Sequence, residues 1–155
     1  MNSDKFLRDL LEKRLIKTEK ISVSQIEKLI QASERKLEAS ERTLEIDEAC
    51  SYEMAYNAML HAARAFVFVK GFRPTTNFQH KTVVSFTEHF LGAEYKALTA
   101  KFDYMRKNRN KFIYEPWKLH LSKTDTQKAL QSAGKFIEII KKEIKKIDPQ
   151  KRFKF

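Results

Sequence analysis

The sequence predicts an all-α fold: an up-and-down antiparallel bundle of four long helices with short additional helices. Three observations predict it. Only three Gly and three Pro occur in 155 residues, too few breakers for the many turns of an all-β chain. Ala, Leu, Lys and Glu dominate, and all four favour helix. Apolar residues recur in steps of three and four over long stretches, the period of a helix with one buried face.

The first such stretch is 4–17, with Phe6, Leu7, Leu10, Leu11 and Leu15 on one side and Ser3 as the expected N-cap. A helix over 24–45 follows. Ser24 and Glu27 stand at capping-box spacing, and Val23, Ile26, Ile30, Ser33, Leu37, Ser40 and Leu44 form one stripe. The helix over 47–70 carries Tyr52, Tyr56, Met59, Ala63, Phe66 and Val67 on its stripe. Ala55, Ala58, Ala62 and Ala65 leave room for another helix to approach closely. Gly71 and Pro74 stop it. GFRPTTNFQH reads as a loop, and a short helix over 79–91 ends at Gly92. A helix over 93–114 ends before Pro116, which has no N–H to continue it. PWKLHLSK reads as a loop. Thr124 and Gln127 repeat the capping-box spacing before a last helix, 124–147, striped by Ala129, Ala133, Phe136, Ile137, Ile140, Ile144 and Ile147. With no repeat or low-complexity linker, residues 1–155 read as one helical domain ending in a basic tail, 148–155.

Composition excludes several classes. Cys50 is the one cysteine, so neither an intramolecular disulfide nor a Cys-based zinc site is available; it is expected to be a small buried hydrophobe. No two histidines stand four apart, and no glycine-rich phosphate loop occurs, so no metal and no cofactor are expected. MNSDKFLRDLLEKR lacks the apolar core of a signal peptide. The longest apolar run, Ala65 to Val69, is far too short to span a bilayer. A cytoplasmic protein without membrane contact is expected.

The net charge is +11, unevenly placed: residues 1–100 carry 15 Lys/Arg against 14 Asp/Glu, residues 101–155 carry 16 against 6. A neutral front and a basic back suit a polyanionic partner for the back; a solubilising surface is the alternative. The tail from Lys141 adds Phe153 and Phe155 to seven basic residues. Basic residues interleaved with aromatics suit single-stranded nucleic acid, which makes Lys151, Arg152 and Lys154 candidate contacts; a frayed, soluble terminus is the alternative.

The most informative stretch is YMRKNRNKFIYEP, residues 104–116. Tyr95, Leu98, Phe102 and Met105 form an apolar row whose next step lands on Arg109, before Phe112. A guanidinium in such a row needs a partner or a polar cavity, because an unpaired buried charge costs several kcal/mol. Asn110 and Tyr114 share the adjacent face, with Lys107 one turn before, and Arg106 and Lys111 add positive charge. Elsewhere, His61 reads as a satisfied bundle histidine, His80 and His89 as surface or capping residues of the short helix, and His120 as too distant from Arg109.

Arg109–Asn110 with Tyr114 ends the penultimate long helix. NAMLHAARAFVFVKGFRP, residues 57–74, is an Ala-rich helix ending in Lys-Gly and a Pro loop. Together they resemble the HEPN domain family (higher eukaryotes and prokaryotes nucleotide-binding) over about residues 24–147. The family's signature is Arg-x4-6-His, and here Tyr114 stands where the His would be. The resemblance implies a metal-independent ribonuclease site, usually shared across a homodimer, in which the Arg holds the phosphate and the His moves protons. A tyrosine phenol, with a reference pKa of about 10, is a poor base at pH 7; it still bonds a phosphate or stacks on a base. Arg109, Asn110 and Tyr114 are therefore the candidate catalytic set. Arg106, Lys107, Lys111, Lys151, Arg152 and Lys154 are the candidate nucleic-acid contacts. The expected function is RNA binding within a toxin–antitoxin or stress-defence system, with little or no cleavage. Two alternatives remain: an active metal-independent endoribonuclease toxin, and a non-catalytic dimeric interaction module paired with a nucleotidyltransferase.

Overall fold

The computed structural model describes residues 1–118 and 120–155, so the loop read over 116–123 lies partly outside the described residues, at Leu119. Among the described residues the regular structure is helical apart from two three-residue strands. Helices run over Ser3–Glu12 (α1), Val23–Thr43 (α2), Glu48–Val69 (α3), Gln79–Leu91 (α4), Lys96–Tyr114 (α5) and Lys123–Ile147 (α6), with single 3-10 turns at Ala93–Tyr95 and Pro116–Lys118.

α3 is the centre of the bundle and packs against α2, α4, α5 and α6. Its alanines explain this position. Ala55, Ala58, Ala62, Ala63 and Ala65 are all fully buried, and without side chains beyond Cβ they admit neighbours on several sides. Large side chains fill between: Tyr52, Tyr56 and Met59 from α3, Phe86 from α4, Phe102 and Met105 from α5, Phe136 and Ile137 from α6. Each contributes about 1.5–3 kcal/mol of hydrophobic stabilisation. α2 runs antiparallel to α3. Its two small stripe residues lie flat on the contact: Ser33 Oγ donates to Ala58 O, and Ser51 Oγ to Ser40 O, both at 2.6 Å.

The sequence misplaces several boundaries. The helix expected over 4–17 ends at Glu12, because Arg14 adopts a left-handed conformation with φ 54°. Ile16–Thr18 (β1) then pairs antiparallel with Phe72–Pro74 (β2), within the segment expected to be a loop. Three caps also shift. Asn2 rather than Ser3 caps α1. Ser22 with Gln25 forms the capping box of α2, and Ser122 accepts from Asp125 N at the start of α6. Both long helices thus begin one residue before the expected cap. Cys50 is exposed rather than buried, because it sits in the first turn of α3, before the helix enters the core.

Gly71, at φ 85°, follows α3, and Gly92, at φ 78°, separates α4 from α5. The second position decides the site. It folds α4 back on α5, so His80 lies about 17 Å down α4 from the turn and Arg109 about 20 Å along α5. The two reach the same level of the bundle.

Candidate functional site

The inner face of α5 carries Phe102, Met105, Asn108, Arg109 and Phe112. Asn108, 6 % exposed, donates from Nδ2 to Tyr52 Oη at 3.0 Å. Burial pushes the Tyr52 phenol up to about 12, against a smaller downward pull from the Asn108 bond, so it is a neutral acceptor at pH 7. The Phe112 ring stands edge-on to Tyr52, centroids 5.4 Å apart. These contacts fix the rotation of α5 about its axis.

That rotation sets Arg109 half-inside the bundle. Its Nε is closed to solvent and has no hydrogen-bond partner among the described residues. Arg106, one turn earlier, is committed instead, its Nε 2.8 Å from Asp103 Oδ1, while Lys107 Nζ lies 3.1 Å from Asp103 Oδ2. Burial alone would raise Asp103; the hydrogen bonds and charges of Arg106 and Lys107 outweigh it and hold the carboxyl below its usual range.

Tyr56, one turn along α3 from Tyr52, brings its hydroxyl to 2.9 Å from His80 Nδ1. Burial pushes the Tyr56 phenol well up, opposed by the positive charges of Arg109 and Arg106. His80 is held below the ordinary imidazole range, first by burial, then by the charges of Arg109, Arg64 and Arg106. Tyr56 from α3, His80 from α4 and Arg106 and Arg109 from α5 thus form one electrostatically connected cluster. A groove of about 270 Å³ between α4 and α5, lined in part by Lys81, Asp103, Arg106 and Lys107, adjoins it.

The expected set divides here. Tyr114 follows Arg109 by five residues, about 140° around the helix. It is 75 % exposed and shares the outer face with Asn110, which is also exposed. Ile113 and Trp117 lie exposed beside it and make an apolar and aromatic patch at the end of α5. Lys111 is exposed in the last turn.

The tail candidates stand apart. α5 and α6 run antiparallel, so Tyr95 and Ile139 line the same groove, and everything after Ile147 lies about 20 Å or more from the level of Arg109. The tail is also folded down. Phe153 and Phe155 stack with centroids 5.1 Å apart and pack on the core, Lys154 N donates to Glu27 Oε2 at 2.7 Å, and Lys151 lies 3.6 Å from Asp148. Arg152 and Lys154 keep exposed side chains.

Sequence reasoning missed Asn108, Tyr56 and His80. A signal existed. Two phenols four residues apart on the buried face of an Ala-rich helix each require a polar partner, and Asn108 and His80 are those partners. His61 differs from its reading as a satisfied histidine, since its Nδ1 is buried without a hydrogen-bond partner among the described residues.

Fold and cluster define a helical bundle with a basic, histidine-containing site where α3, α4 and α5 meet. A profile of the HEPN domain family matches residues 26–144, from within α2 to the last turn of α6, and the chain belongs to that family. No curated protein matches it significantly. Among the described residues no helix is long and apolar enough to cross a membrane, and no cluster of His, Cys, Asp and Glu could hold a metal ion.

Proposed function

We propose that this chain is an RNA-binding HEPN protein whose phosphate contact is Arg109. One observation carries the reading: Arg109 is half-buried and, unlike Arg106 and Lys107, which pair with Asp103, has no ion-pair partner among the described residues, while Arg64 and Lys111 add positive charge. A phosphodiester supplies the oxygens such a donor lacks, and a guanidinium grips it through two parallel bonds. Asn110 and Tyr114 extend the contact over the outer face, where an exposed phenol stacks on an unpaired base. Family membership and basic charge support a role in a toxin–antitoxin or stress-defence system, with a nucleotidyltransferase as protein partner. The test is fluorescence anisotropy with a labelled unstructured RNA at low salt. Arg109→Ala weakens binding about tenfold or more, the loss expected of a charge-assisted bond worth about 1.5–3 kcal/mol; unchanged affinity places the contact elsewhere.

A second reading concerns assembly. Ile113, Tyr114 and Trp117 are exposed together, and such a patch on one helix end suits a two-fold contact between copies. The chain is then a homodimer joined at the ends of α5. Light scattering gives twice the chain mass at roughly tens of micromolar, and Trp117→Ser returns it to the monomer mass. A monomer mass for the unaltered chain removes this reading.

A further inference from the structure

We propose that His80, oriented by Tyr56, is the proton acceptor of an RNA-cleaving site centred on Arg109. The inference rests on the RNA-binding reading and adds chemistry to it. A base on α5 itself is not required: the fold delivers an imidazole from α4 to the level of Arg109, on the face that Tyr114 does not reach.

The geometry supplies three requirements of such a site. The first is orientation. His80 Nδ1 lies 2.9 Å from Tyr56 Oη, and a ring nitrogen engaged in this way fixes the tautomer at the other. With Nδ1–H donating to the phenol oxygen, Nε2 carries the free lone pair. Tyr56 suits that role because burial keeps its phenol neutral. It also packs against the fully buried Phe102 ring, centroids 5.7 Å apart, so it is a rigid support.

The second is protonation state. The charged groups facing His80 are Arg64 on α3 and Arg106 and Arg109 on α5, with Tyr56 in contact and Lys81 next along α4. Burial and the three arginines disfavour an imidazolium in the free protein, which leaves a neutral base at pH 7. A bound phosphodiester brings negative charge between the arginines and the ring and so favours proton uptake when it is needed. The third is substrate grip, which Arg109 provides; the adjoining groove sets Lys81, Arg106 and Lys107 against Asp103 and Glu88 and so keeps a small positive excess.

The step balances without metal or cofactor. Nε2 of His80 takes the proton of a ribose 2′-hydroxyl. The 2′-oxygen forms a bond to phosphorus and the P–O5′ bond breaks. The O5′ leaving group takes a proton from water. The products are a 2′,3′-cyclic phosphate and a 5′-hydroxyl end, and Arg109 stabilises the charge that develops on the non-bridging oxygens.

The full chain, with chelator and no added metal, is mixed with a labelled unstructured RNA. Binding is read by anisotropy, and cleavage by denaturing gel with analysis of the ends. The unaltered protein binds and cuts, leaving cyclic phosphate ends; a DNA strand of the same sequence is bound and not cut. His80→Gln lowers the cleavage rate about 100-fold or more, the usual contribution of a general base, while RNA affinity stays within about threefold and the helical circular dichroism is unchanged. His120→Gln leaves the rate unchanged. The rate of the unaltered protein rises with pH to a plateau whose midpoint lies below that of free imidazole, and Tyr56→Phe moves that midpoint to still lower pH, a change that lost packing alone would not produce. RNA bound but not cut, or cut equally fast by His80→Gln, overturns the assignment of His80 and leaves the binding reading intact. No RNA binding at low salt removes the binding reading and this inference with it.

Discussion

Breaking the Tyr52–Asn108 bond should loosen α5 and expose how much of the site depends on it. The donor and acceptor are 3.0 Å apart, Tyr52 is 1 % exposed and Asn108 6 %, so water does not replace a lost partner. Tyr52→Phe strands the Asn108 amide, and Asn108→Ala strands the Tyr52 hydroxyl. Each leaves one buried polar group unsatisfied, a cost of about 1–3 kcal/mol. At about 2 kcal/mol and about 2–4 °C per kcal/mol for a chain of this size, the melting temperature falls by roughly 4–8 °C. The double variant removes both groups and leaves neither unsatisfied, so it is less destabilised than the sum of the singles by about 1 kcal/mol or more. Urea unfolding followed by far-UV circular dichroism measures all four corners of the cycle. Additivity within about 0.3 kcal/mol would refute the claim that this bond sets the rotation of α5. Arg109 provides a second readout: if the bond aims it, Asn108→Ala also weakens RNA binding without touching a charge.

Three further outcomes follow from the same geometry. RNA affinity falls with salt, and each lost phosphate contact to a single strand reduces the slope by about 0.7; replacing Arg109 and Lys111 with Ala should lower it by about 1.4, whereas replacing Lys151, Arg152 and Lys154, distant from Arg109, lowers it less, and the reverse order in a salt titration would relocate the interface to the tail. His61 and His80 are both held below 6.5 by burial and neighbouring positive charge, so below about pH 6.5 the unfolded chain takes up more protons than the native one; stability is full above that pH and declines on acidification, and a melting temperature that rises from pH 6.5 to 5 contradicts this. Cys50 is exposed in the first turn of α3, so a maleimide labels it in the native state without loss of helical signal, whereas labelling only after urea would mean the thiol is covered.

The sequence by itself determined the all-α class, the ends of α4 and α5, and the apolar rows of α2, α3, α5 and α6. These depend on local chemistry: breakers at Gly92 and Pro116, helix-forming residues between them, and a period of three and four that survives without knowledge of any partner. It also singled out Arg109, because a charge interrupting an apolar row is visible in one dimension, and the resemblance to the HEPN family. Cap positions were two residues late for α2 and α6, since Ser22 and Ser122 stand two before Ser24 and Thr124 and either residue satisfies the spacing rule. The β1–β2 pairing was hidden because strands of three residues have no period, and their partners lie more than fifty positions apart in the chain. Only the tertiary structure decided which polar residues meet. Tyr56 and His80 bond across two helices, and Arg109 from a third acts on both through its charge, an arrangement that depends on the turn at Gly92 and on the rotation of α5 set by Asn108 and Tyr52. That rotation carries Tyr114 to the outer face: side chains five apart on a helix diverge, and packing against α3 determines which of the two turns inward.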